Sequence, residues 1–170
     1  IDLALARGGD QAVIKDCKGI TYFGGKKEQT AKNTRVKARV KAEALREFIV
    51  AKDQVIVMGH KIADVDSFGA AVGIYRAALT MEKKAYIVLN DITTSVRPLY
   101  QAFCESPTYP DDMFIRSEDV SDVINDSTVA VVVDTNKPEM TECPELLKMT
   151  KTIVVFDHHR QSSNIIENTV

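Results

Sequence analysis

TVAVVVDTN, residues 128–136, sets six uncharged residues ahead of Asp134, and this run decides the fold class. A strand with one face in water alternates apolar and polar side chains. This run does not alternate, so both of its faces need cover. QVIVMGH (residues 54–60), KAYIVLN (84–90) and KTIVVFD (151–157) share the habit. Helical stretches separate them: SFGAAVGIYRAALT (67–80), rich in small residues, then Thr94 to Phe103 with Pro98 near its first turn, and PELLKM (144–149). MFIRS (113–117) reads as a short strand and DVSDVIN (119–125) as a short helix. Strand and helix alternate over residues 51–170. The expected fold is α/β, a mainly parallel sheet with helices on both faces and right-handed crossovers.

The residues before this region differ. IDLALAR reads as the end of a helix stopped by Gly8-Gly9, and QAVIKD and ITYFGG as the strands of a hairpin around DCKG. One hairpin cannot bury a core, so residues 1–25 read as the tail of an upstream α/β domain. Residues 26–50 are rich in Lys and Arg, with Val36, Val40, Ala44 and Phe48 recurring every four residues. That spacing predicts a basic linker helix with a narrow apolar stripe; membrane-surface or partner docking is the other reading.

The 170 residues carry 22 basic and 24 acidic side chains, a net charge of −2, and 45% are hydrophobic. The balance argues against a coat for duplex nucleic acid, which needs a strong basic excess. Cys17, Cys104 and Cys143 show no C-x-x-C spacing, which disfavours a disulfide framework or a cysteine zinc site. No apolar run reaches about 18 residues, so no membrane span is expected within this chain.

Three of the strands end in polar groups. The first leads into His60, Asp64 and Asp66, the second into Asp134, the third into Asp157, His158 and His159. The carboxyl ends of parallel strands share one edge, where ligands bind. All three histidines of the chain lie there. Each residue alone has a structural explanation: Asp64 or Asp66 as a helix cap, Asp134 in an Asx turn, His158 as a satisfied core histidine. Together they make an oxygen- and imidazole-rich set without thiolate, suited to Mn²⁺ or a similar divalent ion. H-x-x-x-D-x-D can divide its donors between two ions bridged by Asp134, the arrangement used to hydrolyse phosphate esters. His159 is then the candidate for stabilising phosphate oxygens. No Walker-type phosphate loop, G-x-G-x-x-G fingerprint or G-x-S-x-G elbow occurs.

GHKIADVDSFGAA (59–71), VVVDTNKPEM (131–140) and VVFDHHRQ (154–161) resemble the first three motifs of the DHH phosphoesterase superfamily. ALARGGDQAVIKDCKGITYFGG (4–25) resembles the end of a degenerate GGDEF domain. That pairing is similar to the membrane-anchored, GdpP-type cyclic di-AMP phosphodiesterases. The resemblance implies two manganese ions, one held by His60, Asp64 and Asp134, the other by Asp66, Asp134 and His158. It implies His159 at the phosphate, Asp157 orienting the motif, and hydrolysis of cyclic di-AMP to pApA. Arg160 is a further candidate for the phosphate. A nano-RNA hydrolase, a single-strand exonuclease and a non-catalytic nucleotide sensor are the alternatives. The resemblance further implies a homodimer at the cytoplasmic face of the membrane. It also implies a fourth-motif Asp and a DHHA1 domain, neither of which lies in residues 1–170, so these residues alone are expected to fall short of turnover.

Overall fold

The structure is a computed structural model that describes residues 11–16, 19–24, 30–159 and 165–166, with side chains in 38–159 and 165–166. The expected helix end at residues 1–7, the DCKG turn's Cys17 and Lys18, and Arg160 fall outside the described residues. Two compact units divide the chain, Ile1–Glu43 and Ala44–Val170.

In the first unit, β1 (Gln11–Asp16) and β2 (Gly19–Gly24) pair antiparallel, with Gln11 opposite Gly24 and Asp16 opposite Gly19. This is the hairpin the alternation predicts. Helix α1 (Thr30–Val50) follows. Its expected stripe is corrected within the described side chains. Val40 is 65% exposed and Ala44 is exposed, whereas Leu45 and Ile49 are buried and Phe48 packs beside them. Leu45, Phe48 and Ile49 follow the spacing of three and four that keeps residues on one helical face. Strict fours drift around the helix and cannot hold one face over several turns. Full burial of Ile49 contributes about 1.5–3 kcal/mol.

The second unit is an open sheet of five parallel strands: β3 (Gln54–Met58), β4 (Lys84–Val88), β5 (Phe114–Ile115), β6 (Thr128–Val133) and β7 (Thr152–Phe156). Their spatial order is β5-β4-β3-β6-β7. The connecting helices are α2 (Val65–Thr80), α3 (Arg97–Cys104), α4 (Val120–Val123) and α5 (Leu146–Met149). The uninterrupted apolar strands are explained by cover on both faces. Val55, Val57, Val129, Val131 and Val133 face a core shared with Tyr75 of α2 and Ile49 of α1. Ile56, Met58, Ala130 and Val132 face the other way, toward Val120 of α4 and Leu146 of α5. Alternate residues along one strand thus serve two cores.

The strand order positions the site. From β3 the chain moves outward to β4 and β5, then returns across β3 to lay down β6 and β7. The connections therefore leave β3 and β6 in opposite directions and open a crevice at their carboxyl ends. His60 follows β3 and Asp134 follows β6.

Candidate metal centre

Asp134 is the pivot. It is 8% exposed, and its backbone has a φ of 58°, in the left-handed region. Its N–H donates to the Phe156 carbonyl at 2.8 Å, which extends the β6–β7 ladder by one residue before the chain turns. Asp tolerates this conformation better than most non-glycine residues, at a cost of roughly 1–2 kcal/mol. The turn sets the carboxylate between two groups of donors. Oδ2 stands 3.7 Å from His60 Nε2, and Oδ1 stands 3.1 Å from His158 Nε2.

The first group is His60, Asp64 and Asp134, and the second is Asp134, His158 and His159; within each, the ligand atoms lie within 4.8 Å of one another. His60 Nε2 is also 3.7 Å from Asp64 Oδ2. Separations of 3.7 Å are too long for hydrogen bonds but fit donors gathered around one ion. Asp64 also caps α2: its Oδ1 accepts the Ser67 N–H at 2.9 Å, which leaves Oδ2 as the oxygen nearer His60. The Asx turn proposed for Asp134 is replaced by the left-handed residue itself.

Asp66 joins neither group. It is exposed in the first turn of α2, two residues beyond the capping Asp64. The two adjacent histidines diverge, although their ring centroids are 4.4 Å apart. His158 reaches Asp134 directly. His159 Nδ1 donates to Asp157 Oδ1 at 2.7 Å, since a carboxylate can only accept, and its backbone N–H donates to the same oxygen at 3.2 Å. Asp157 Oδ2 accepts a hydrogen bond from the Asn136 amide. The hydrogen bond to Asp157 raises the His159 pKa against a smaller desolvation effect, favouring the imidazolium. Burial pushes the Asp157 carboxyl up, but the hydrogen bonds from His159 and Asn136 outweigh it and hold it below the ordinary range.

His60, Asp64, Asp134, Asp157 and His159 line a cleft of about 450 Å³, together with Thr135, Asn136, Lys137 and Met140. Sequence reasoning gave none of those four a role in the site. The signal was a polar run starting at the last residue of a buried strand. The donor set holds imidazole and carboxylate only, a chemistry that fits Mn²⁺ or Mg²⁺-like ions.

A buried clamp supports the wall behind His60. Glu142 N donates to the Gly59 carbonyl at 3.0 Å, and Glu142 Oε2 accepts from Asn90 Nδ2 at 2.6 Å. Asn90 Oδ1 in turn accepts from Ser117 N at 2.9 Å, so the ends of β3, β4 and β5 are tied together. Glu142 Oε1 is buried and has no hydrogen-bond partner among the described residues. Burial pushes the Glu142 carboxyl from 4.5 up to about 7, against the opposing hydrogen bonds from Asn90. The folded state therefore retains a proton that the unfolded state releases near pH 4.5. Stability falls as pH rises from about 4.5 to 7, then levels. At ~1.4 kcal/mol per pH unit the span is at most about 3.5 kcal/mol. Urea unfolding at pH 5 and pH 8 checks this: Glu142→Gln is expected to flatten the difference and to be the more stable form at pH 8. An unchanged pH slope in the variant would remove Glu142 as its source.

Residues 54–170 match the family model described as DHH family, N-terminal domain. The chain is 41% identical over 173 residues to the cyclic-di-AMP phosphodiesterase GdpP of Bacillus subtilis, covering 99% of this chain and 26% of that protein. It is 39% identical over 173 residues to the cyclic-di-AMP phosphodiesterase PdeA of Listeria monocytogenes, covering 100% of this chain and 26% of that protein. A membrane protein–large ribosomal subunit bL9 fusion protein of Aster yellows witches'-broom phytoplasma is 34% identical over 171 residues, covering 98% of this chain and 20% of its own. The chain spans about a quarter of the length of the two phosphodiesterases it matches. No helix among the described residues is long and apolar enough to cross a membrane.

Proposed function

The chain belongs to the DHH family, and from that premise we propose that it supplies the metal centre of a phosphodiesterase that hydrolyses cyclic di-AMP to pApA. The observation that carries the reading is the Asp134 carboxylate, whose two oxygens face separate donor groups. Two divalent ions, manganese in this reading, would supply a hydroxide near neutral pH and offset charge on the phosphate. His60 and Asp64 would hold one ion and His158 the other, with Asp134 shared between them. His159 would meet the phosphate oxygens. Asp157 holds its ring and favours its cationic form, and Asn136 holds Asp157 in place. That relay keeps Nδ1 committed to Asp157, which supports a phosphate role for His159 over a ligand role. Arg160 is proposed as a second phosphate contact.

The hairpin is read as the tail of a degenerate GGDEF domain, and the intact protein as a membrane-anchored homodimer facing the cytoplasm. The experiment is a comparison of cyclic di-AMP, pApA and short oligonucleotides as substrates for the intact protein with Mn²⁺. Cyclic di-AMP is expected to be cleaved fastest, to pApA, with loss of turnover on chelation. Faster turnover of the oligonucleotides would favour the nano-RNA hydrolase or exonuclease instead. No Mn²⁺ binding by calorimetry would favour the nucleotide sensor.

A further inference from the structure

We propose that Lys137 holds the phosphate that is not being cut, an assignment that rests on the cyclic dinucleotide reading above. A cyclic dinucleotide carries two phosphodiesters on opposite sides of its ring. Only one can occupy the centre formed by Asp134 and its neighbours. The other brings its negative charge into a cleft already lined by the carboxylates of Asp64, Asp134 and Asp157. The two ions proposed above would offset those carboxylates at the reacting phosphate; the second phosphate lies away from them and binds better where another cation meets it. Among the described residues that line the cleft, Lys137 is the one Lys or Arg. Among the described residues its ammonium forms no salt bridge with a carboxylate.

The backbone beneath Lys137 is firmly held. Its N–H donates to Thr135 Oγ1 at 3.3 Å, and its carbonyl accepts from Met140 N at 3.1 Å across the 3-10 turn Pro138–Met140. The Met140 carbonyl accepts from Lys61 N at 2.8 Å, and Thr141 Oγ1 donates to the Pro138 carbonyl at 2.8 Å. Pro138 adds its restricted φ. The exposed side chain thus projects from a fixed base at the rim, beyond the pivot residue by three positions. A lysine binds phosphate as a mobile point charge and needs no rigid bidentate geometry, which suits a phosphate that anchors but does not react.

The test compares two substrates in the intact Mn²⁺-loaded protein: cyclic di-AMP, with two phosphodiesters, and bis(4-nitrophenyl) phosphate, with one. Lys137→Ala is expected to lower kcat/KM for cyclic di-AMP about tenfold, mainly through KM, as loss of a charged hydrogen-bond donor does. The loss on bis(4-nitrophenyl) phosphate is expected to be at least five times smaller, and Lys137→Arg should recover most of the cyclic di-AMP activity. Equal losses on the two substrates would place Lys137 at the reacting phosphate and overturn the assignment. So would a loss under twofold on cyclic di-AMP. A wild-type protein that cleaves bis(4-nitrophenyl) phosphate but not cyclic di-AMP would instead overturn the substrate reading, and the assignment with it.

Discussion

Asp134→Asn is expected to reduce turnover by more than about a hundredfold while leaving the fold intact. Outer partners of metal ligands alone cost about 10–100-fold, and a carboxylate shared by both donor groups should exceed that. Two features make asparagine the informative replacement. It keeps the shape of the side chain, and it adopts the left-handed backbone at φ 58° as readily as aspartate. Alanine would combine two losses, charge and backbone tolerance, and the second would add about 1 kcal/mol of instability. Titration calorimetry should show weakened Mn²⁺ binding for both groups of donors in the asparagine variant. Thermal unfolding of the metal-free protein should match wild type within about 1 kcal/mol, since no cavity or unpaired charge is created. Retention of more than about a tenth of the rate would contradict a shared ligand.

The second large effect is structural. Gly59→Ala places a Cβ 2.0 Å from Ser67 Oγ and 3.3 Å from Ser67 Cβ. Ser67 is 2% exposed and sits in the first turn of α2, capped by Asp64. Rotating the hydroxyl away does not move Cβ, so the helix start has to shift from the end of β3. Overpacking of this kind costs about 1–3 kcal/mol. A domain of this size should lose about 2–4 °C in Tm for each kcal/mol. The same shift carries Asp64 away from His60, so Mn²⁺ affinity should fall alongside Tm. Ser67→Gly in the Gly59→Ala background should return most of both, because it removes the opposing atoms. No recovery in the double variant would show that the strain lies elsewhere.

The fold was legible because the signals for it are local and repeated. Each Val- and Ile-rich run demanded two covered faces, which a parallel sheet alternating with helices supplies. The stripe on α1 was misread because Val40 and Ala44 are apolar in identity only; which face is buried depends on the sheet that Leu45 and Ile49 reach. At the site, the strand-end positions of His60, Asp134 and His158 were readable from topology alone. What could not be read was the direction of each side chain. Asp64 and Asp66 look equivalent in the sequence, and only the helix start separates them. Asp157 and Asn136 are 21 positions apart and meet through a hydrogen bond that no spacing rule foretells. The Glu142 clamp was missed for the same reason, its partners Asn90 and Ser117 lying beyond the ends of β4 and β5, far from it in sequence.

The strand order also bears on how the molecule is born. β3 registers with β6 from Gln54 opposite Thr128, across an intervening wing that contains two other strands. The first donors to leave the ribosome, His60 and Asp64, therefore wait for Asp134 until that long loop has closed. Contacts this distant in sequence form slowly, because chain entropy must be lost before they are rewarded. A metal that prefers the assembled centre draws the equilibrium toward the completed sheet in proportion to its free concentration. A cation held by this centre would act as a seam joining the two wings, and scarcity of it would lower the share of chains with the sheet complete.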